Sequence, residues 1–239
     1  MACSNAPISM HRRNETLWAS ESAEYTAVAL QTYESARKKL AVAIDDPSWT
    51  ACMEQAPGFE GLPPAVIVDL DETVLDNRPF QLRLIRDNTA FDESHWNEWV
   101  REGRSDPIPG AIEFLIDAHR RGVEIFYVTN RSHEVETATR KNLAMLGLPL
   151  DPERDTVLTK HEQPDWTRDK TSRRQLIAAS YRVLLILGDD LDDFVRSASE
   201  SRASRHATVI SHREMWGEKW FVLPNTLYGG WVAATLNGS

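Results

Sequence analysis

"PPAVIVDLDETVLDN", Pro63 to Asn77, is an apolar, β-branched run that ends abruptly in acid. Asp69, Asp71 and Glu72 fall within four positions, and Asp76 follows. Ala65–Val68 has the length and residue types of a buried strand. Carboxylates at such a place lie at the carboxyl end of the strand, where α/β sheets receive ligands. Asp69 and Asp71 are spaced by two, so they can converge on one side of an extended backbone. Two crowded carboxylates do not both ionise readily, and their proton affinities split. One then suits the part of anionic nucleophile, while the other carries a proton for a leaving group. A hard cation would relieve the remaining repulsion.

The pattern recurs along the chain. The apolar runs Val123–Val128, Thr156–Leu158, Val183–Leu187 and Ala207–Ile210 read as further strands. Between them, Ala111–Arg121 (closed by Gly122), Glu134–Leu146 (closed by Gly147) and Thr171–Ser180 read as helices. Continuous apolar strands alternating with helices predict an α/β fold, a parallel sheet covered on both faces. Tyr25, Ala29, Tyr33, Ala36, Leu40 and Ile44 recur at helical spacing, stopped by Asp45-Asp46-Pro47, and predict an amphipathic helix packed on that core. The alternation breaks at 76–107, a polar and aromatic stretch containing "NTAFDESHWNEWVREGRSDPIPG". It reads as a small cap inserted over the strand ends. The division expected is therefore a helical extension over 1–60 and a core over 61–239, with 76–107 as the cap insertion.

The other strand ends carry matching chemistry. "VLLILGDDLDDF" again ends in acid, with Asp189, Asp190, Asp192 and Asp193 after Gly188. Neighbouring parallel strands lie about 4.8 Å apart, so two acidic ends can meet at one Mg²⁺ site. "VEIFYVTNR" puts Thr129, Asn130 and Arg131 at another strand end, where a hydroxyl and a free amide suit phosphate oxygens. Lys170 opens a helix and could balance a phosphoryl group's charge. Each feature has a bland reading as well: a helix-capping aspartate or a solvated lysine. A calcium loop starting at Asp69 is excluded, because its sixth position is Val74 and its twelfth Phe80.

The formal net charge of -9 argues against a surface that tracks nucleic-acid phosphates, so no nucleic-acid polymer is expected as a partner. It leaves phosphate ligands open, since a local cation outweighs the global field. The two cysteines, Cys3 and Cys52, form neither a disulfide framework nor a C-x-x-C pair. No apolar run has the length of a membrane span. Cys3 follows two small or apolar residues, as the lipidated cysteine of bacterial lipoproteins does. On these residues alone the plainer reading is a free thiol near a terminus.

Together these stretches resemble the haloacid dehalogenase (HAD) superfamily of phosphatases. "DLDET" is similar to its first motif, Thr129 to the second, Lys170 to the third and "GDDLDD" to the fourth. "DLDETVLDN", "FDESHWNEWV", "PIPGAIEFL", "FYVTNR", "GDDLDDF" and "LPNTLYGGW" resemble in particular the class C acid phosphatases, the lipoprotein 5'-nucleotidases of e(P4) type. The resemblance covers about residues 66 to 231, and "LWASESAEYTAVALQTYESA" resembles that family's leading helix. It implies a HAD-like Rossmannoid sheet and hydrolysis of phosphomonoesters, in particular nucleoside 5'-monophosphates or nicotinamide mononucleotide. Asp69 would be the nucleophile and Asp71 the acid and base. Mg²⁺ would be held by Asp69, the main-chain carbonyl of Asp71 and Asp189, with Asp193 in support. Thr129, Asn130 and Lys170 would hold phosphate. Phe91 and Tyr228 would sandwich the substrate's ring, with Arg131 beside them. Trp96, Trp99 and Trp231 read as packing residues. The resemblance further implies a bacterial envelope location, as an outer-membrane lipoprotein anchored through Cys3 or as a periplasmic protein, and pairing into a homodimer. A phosphomonoesterase without nucleotide selectivity, a phosphoryl mutase and a non-catalytic storage relative stay open as alternatives.

Overall fold

The computed structural model describes residues 10–196 and 201–236. Cys3 lies outside the described residues. The elements run α1 (Met10–Glu21), α2 (Ala23–Asp45), β1 (Pro64–Val68), β2 (Leu75–Asp76), α3 (Arg78–Arg86), α4 (Glu93–Glu102), β3 (Asp106–Pro107) and α5 (Ala111–Arg120). They continue as β4 (Glu124–Ser132), α6 (Glu136–Met145), β5 (Val157–Lys160), α7 (Thr171–Ala178), β6 (Arg182–Gly188), α8 (Arg202–Ser211), β7 (Trp220–Val222) and α9 (Gly230–Leu236).

Among the described residues, β5-β4-β1-β6-β7 form one parallel sheet with β1 at its centre. Alternation along β1 divides the core. Val66 and Val68 face a cluster with α2 and α5, while Ala65 and Ile67 face a second cluster with α7 and Trp220. Helices on both faces explain why these strands read as unbroken apolar runs. α2 contributes Tyr25, Ala29, Tyr33, Ala36, Leu40 and Ala43 to the first cluster, all buried. Burying one large apolar side chain of this kind stabilises by about 1.5–3 kcal/mol, so this helix is part of the main core. Ser22 caps it by accepting the Tyr25 N–H at 3.1 Å. Gly122 takes φ +78° just past α5, a left-handed stop that a side chain would strain.

One expected strand is wrong. Ala207–Ile210 lies within α8, none of whose residues is buried, and the fifth strand is β7. Val209 and Ile210 have strand-favouring side chains, but Ser201 caps a helix there by accepting the Ser204 N–H at 3.2 Å. Trp220–Val222 is too short to show a period of its own.

The segment between β2 and β3 holds α3 and α4. Its two ends are closed by antiparallel pairing of Leu75 with Pro107 and Asp76 with Asp106. Phe80, Leu84, Trp99 and Val100 form an apolar cluster there, completed by Val135 beyond β4. Asp92 caps α4 by accepting the Ser94 N–H at 2.9 Å.

Candidate active site

The carboxyl ends of β1, β4 and β6 converge. Asp69 extends β1 by donating its N–H to Leu187 of β6 at 3.0 Å. The chain then turns back tightly, with Val74 and Leu75 both donating to the Leu70 carbonyl at 2.8 Å. Tyr33 of α2 fixes this turn, its hydroxyl donating to the Thr73 carbonyl at 2.6 Å. Glu72 sits in the turn at φ +61°, buried, with Oε1 accepting the Asn77 N–H at 2.8 Å. Burial, with Asp71 nearby, pushes its carboxyl well above the usual range.

Lys170 is the hub. Its side chain is buried, and Nζ stands 2.5 Å from Asp69 Oδ1 and 2.6 Å from Asp193 Oδ1. An ammonium has three donors, so one remains for a further anion. Asp193 Oδ2 accepts the N–H groups of Asp189 and Asp190 at 3.1 and 3.0 Å, which binds the acidic loop to the end of β6. That fold-back leaves no room for a side chain at Gly188, where an added Cβ would lie 2.5 Å from Asp193 Cβ.

One face of α7 holds the whole arrangement. Lys170 precedes the helix, and Arg173 and Arg174 follow at three and four residues' spacing. Arg173 is buried and donates to the Thr129 carbonyl at 2.5 Å and to Asn130 Oδ1 at 2.9 Å. Arg174, also buried, donates to the Asp193 carbonyl at 3.0 Å and pairs with Glu54 at 2.7 Å. Sequence reasoning missed both arginines, because arginine is rarely fully buried. The spacing K-x-x-R-R at a helix start was the available signal.

Asp69, Asp189 and Asp193 each offer a carboxylate oxygen, all within 4.8 Å of one another. An all-oxygen anionic set suits a hard divalent cation. Burial pushes the Asp69 carboxyl up to about 7; Lys170 opposes the shift, and Asp193 and Asp71 add to it. Burial and the charge of Asp69 likewise raise Asp189. Cation binding would favour the ionised forms of both. Asp69 Oδ2 and Asp189 Oδ1 are the oxygens least engaged. Asp189 Oδ2 accepts from Asn225 at 2.6 Å, whereas both oxygens of Asp193 already hold Lys170 and the loop amides.

The chain matches a known family over nearly its full length. The model of the HAD superfamily, subfamily IIIB (Acid phosphatase), matches residues 1–231. The chain belongs to that family. It is similar to the class C acid phosphatase from Bacillus anthracis, with a TM-score of 0.82 and 30% identity, covering 95% of this chain and 88% of that one. A structure of that protein with tungstate bound gives a TM-score of 0.83 at 29% identity, covering 97% and 92%. Acid phosphatase 1 of Solanum lycopersicum is 23% identical over 168 residues, covering 68% of this chain and 57% of its own length. The chain thus spans little more than half of that relative.

Within this acid phosphatase family fold, Thr129 is buried and its hydroxyl accepts the Arg131 N–H at 3.0 Å, which leaves its own hydrogen free to donate. Asn130 is turned toward Arg173. Arg131, expected beside the substrate, is wholly buried and pairs with Asp71 at 2.7 Å. Phe91 lies on the chain between α3 and α4, 56% exposed, with Phe80 and Trp96 each 6.3 Å away. Tyr228 is half-buried and packs against the main core cluster. Trp99 is buried among the apolar residues of α3 and α4, Trp96 packs against them, and Trp231 donates to the Tyr228 carbonyl at 3.1 Å. Among the described residues, no helix is long and apolar enough to cross a membrane.

Proposed function

We propose that the chain is a Mg²⁺-dependent acid phosphatase that hydrolyses phosphomonoesters, nucleoside 5'-monophosphates among them, through an aspartyl phosphate on Asp69. The observation that carries this reading is the buried Lys170 joining Asp69 to Asp193 beside Asp189. Lys170 occupies one lone pair of Asp69 Oδ1, so Oδ2 attacks phosphorus and the other lone pair of Oδ1 is left for the cation. As the Oδ2–phosphorus bond forms, the bond to the leaving oxygen breaks, and Asp71 gives that oxygen its proton. Water then attacks phosphorus, Asp71 takes up a proton from it, and the Oδ2–phosphorus bond breaks to release phosphate. Thr129 and the third hydrogen of Lys170 hold phosphoryl oxygens through both steps. A divalent cation held by Asp69, Asp189 and the Asp71 main-chain carbonyl would neutralise charge on those oxygens. The rest of the work is positioning by preorganised groups.

The segment 76–107 acts as a cap, and the exposed ring of Phe91 is placed on it to stack on a base or pyridine ring. The packing of Tyr228 against the core favours a second reading, in which the cap does not select nucleotides. Phosphate release from AMP, nicotinamide mononucleotide and glycerol phosphate, with Mg²⁺ or with chelator, tests both. Metal-dependent release with the nucleotides well ahead supports the full reading, and equal rates support the second. No release from any of the three refutes the proposal and favours a storage role. Envelope location through Cys3 and pairing of chains are proposed on the resemblance alone, and intact mass and light scattering of the protein made in bacteria test them.

A further inference from the structure

We propose that Asn77 and Arg131 are positioning residues that hold Oδ1 of Asp71 and turn its Oδ2 toward the leaving group. The inference rests on the reading of Asp71 as acid and base. Three N–H donors converge on Asp71 Oδ1: Arg131 Nε at 2.9 Å, Arg131 Nη2 at 2.7 Å and Asn77 Nδ2 at 2.8 Å. A hydrogen on Oδ1 would face all three. Among the described residues, no N–H or O–H donates to Oδ2.

None of the three donors can reverse its role. A guanidinium has no acceptor and keeps its charge throughout. An amide could rotate and present its oxygen instead, but the far side of Asn77 forbids it. Asn77 Oδ1 accepts the indole N–H of Trp99 at 2.8 Å and the Ser105 hydroxyl at 2.8 Å. An indole N–H only donates, so it pins the amide oxygen toward Trp99 and the amide hydrogens toward Asp71. Arg131 is pinned as well, with Nη1 3.3 Å from Thr139 Oγ1 and Nη2 3.5 Å from Asn77 Oδ1. Asn77, Trp99, Ser105 and Arg131 are all buried, so water does not compete for these bonds. Asp71 keeps 15% of its side chain exposed while Arg131 keeps none. The carboxyl therefore reaches the cleft and the guanidinium does not. Oδ2 is thus the oxygen turned to the leaving group, and Trp99 and Ser105, from the segment between β2 and β3, support that orientation through Asn77.

A leaving group of low basicity departs as an anion and needs no proton, whereas an alkoxide needs one. The test compares kcat/KM for glycerol phosphate and for 2,4-dinitrophenyl phosphate in the wild type, Asn77→Ala and Trp99→Phe, with thermal melting of each protein alongside. General acid catalysis contributes about 10²–10⁴-fold, and Arg131 still holds Oδ1 in Asn77→Ala, so that variant should lose a part of it, on the order of tenfold, with glycerol phosphate. That loss should clearly exceed the loss with dinitrophenyl phosphate. Trp99→Phe keeps the ring, loses only the N–H and should shift the ratio the same way by a smaller factor. Equal losses on both substrates, or no loss on either, in Trp99→Phe and Asn77→Ala would overturn the inference. A wild-type protein inactive on both substrates would instead overturn the reading of the site itself, and this inference with it.

Discussion

The raised proton affinity of Asp69 has a consequence for folding that can be measured without any substrate. In the unfolded chain its carboxyl titrates near the ordinary 3.8, and in the fold burial pushes it up to about 7. A group whose affinity is raised on folding contributes stability that is complete below its unfolded pKa. That stability is lost as pH rises through the folded pKa. The window is thus from pH about 4 to about 7, and a shift of roughly three units corresponds to about 4 kcal/mol. Asp69→Asn keeps the shape, cannot ionise and does not suffer this loss. In chelator, the variant should therefore gain on the wild type as pH rises from 4 to 8, by up to about 4 kcal/mol, or on the order of 8–16 °C in melting temperature for a chain of this size. Asp189 acts in the same sense, because its own upward shift is partly due to Asp69. Urea unfolding at several pH values reads the difference directly. Adding Mg²⁺ should restore the wild type at pH 8 and leave the variant nearly unmoved, since the cation binds the ionised site. A flat difference across the window, or a variant that loses ground as pH rises, would refute the electrostatic reasoning.

Gly188→Ala should cost about 1–3 kcal/mol by overpacking, because the new Cβ would lie 2.5 Å from Asp193 Cβ; phosphate release should fall with it as Lys170 is displaced. Tyr33→Phe should cost about 1–2 kcal/mol, read by urea unfolding, because the Thr73 carbonyl loses its 2.6 Å partner in the turn after Asp69. Phe91→Ala should leave stability within about 0.5 kcal/mol, since the ring is 56% exposed. Its KM for AMP should rise about fivefold or more if stacking contributes about 1–3 kcal/mol, with KM for glycerol phosphate little changed.

The sheet was legible because β1, β4 and β6 are buried on both faces and so read as apolar runs bounded by acid or polar residues. The same logic failed at the sheet's edge. Ala207–Ile210 has strand-like side chains but lies in an exposed helix, and Trp220–Val222 pairs with β6 through too few residues to carry a pattern. Asp69, Asp71 and Asp189 could be found because strand ends collect chemistry, and Lys170 because it opens a helix. What holds them could not. Arg173 and Arg174 are buried beneath the site, and Asn77 touches Asp71 only because Trp99 and Ser105, 22 and 28 residues further on, turn its amide. Such partners are brought together by the closure of β2 on β3, a contact across about thirty residues that local periodicity does not encode. Arg131 illustrates the same limit. Its place beside Thr129 suggested substrate, and its direction, inward to Asp71, depended on the three-dimensional fold.

The central claim is that Asp69 becomes phosphorylated. Rapid acid quench of the protein with ³²P-labelled substrate and Mg²⁺, followed by peptide mapping, tests it most directly. The expected result is acid-stable label on the peptide carrying Asp69, chased on addition of unlabelled substrate and absent from Asp69→Asn. Phosphate release by Asp69→Asn at the wild-type rate, or label on a different residue, would contradict it.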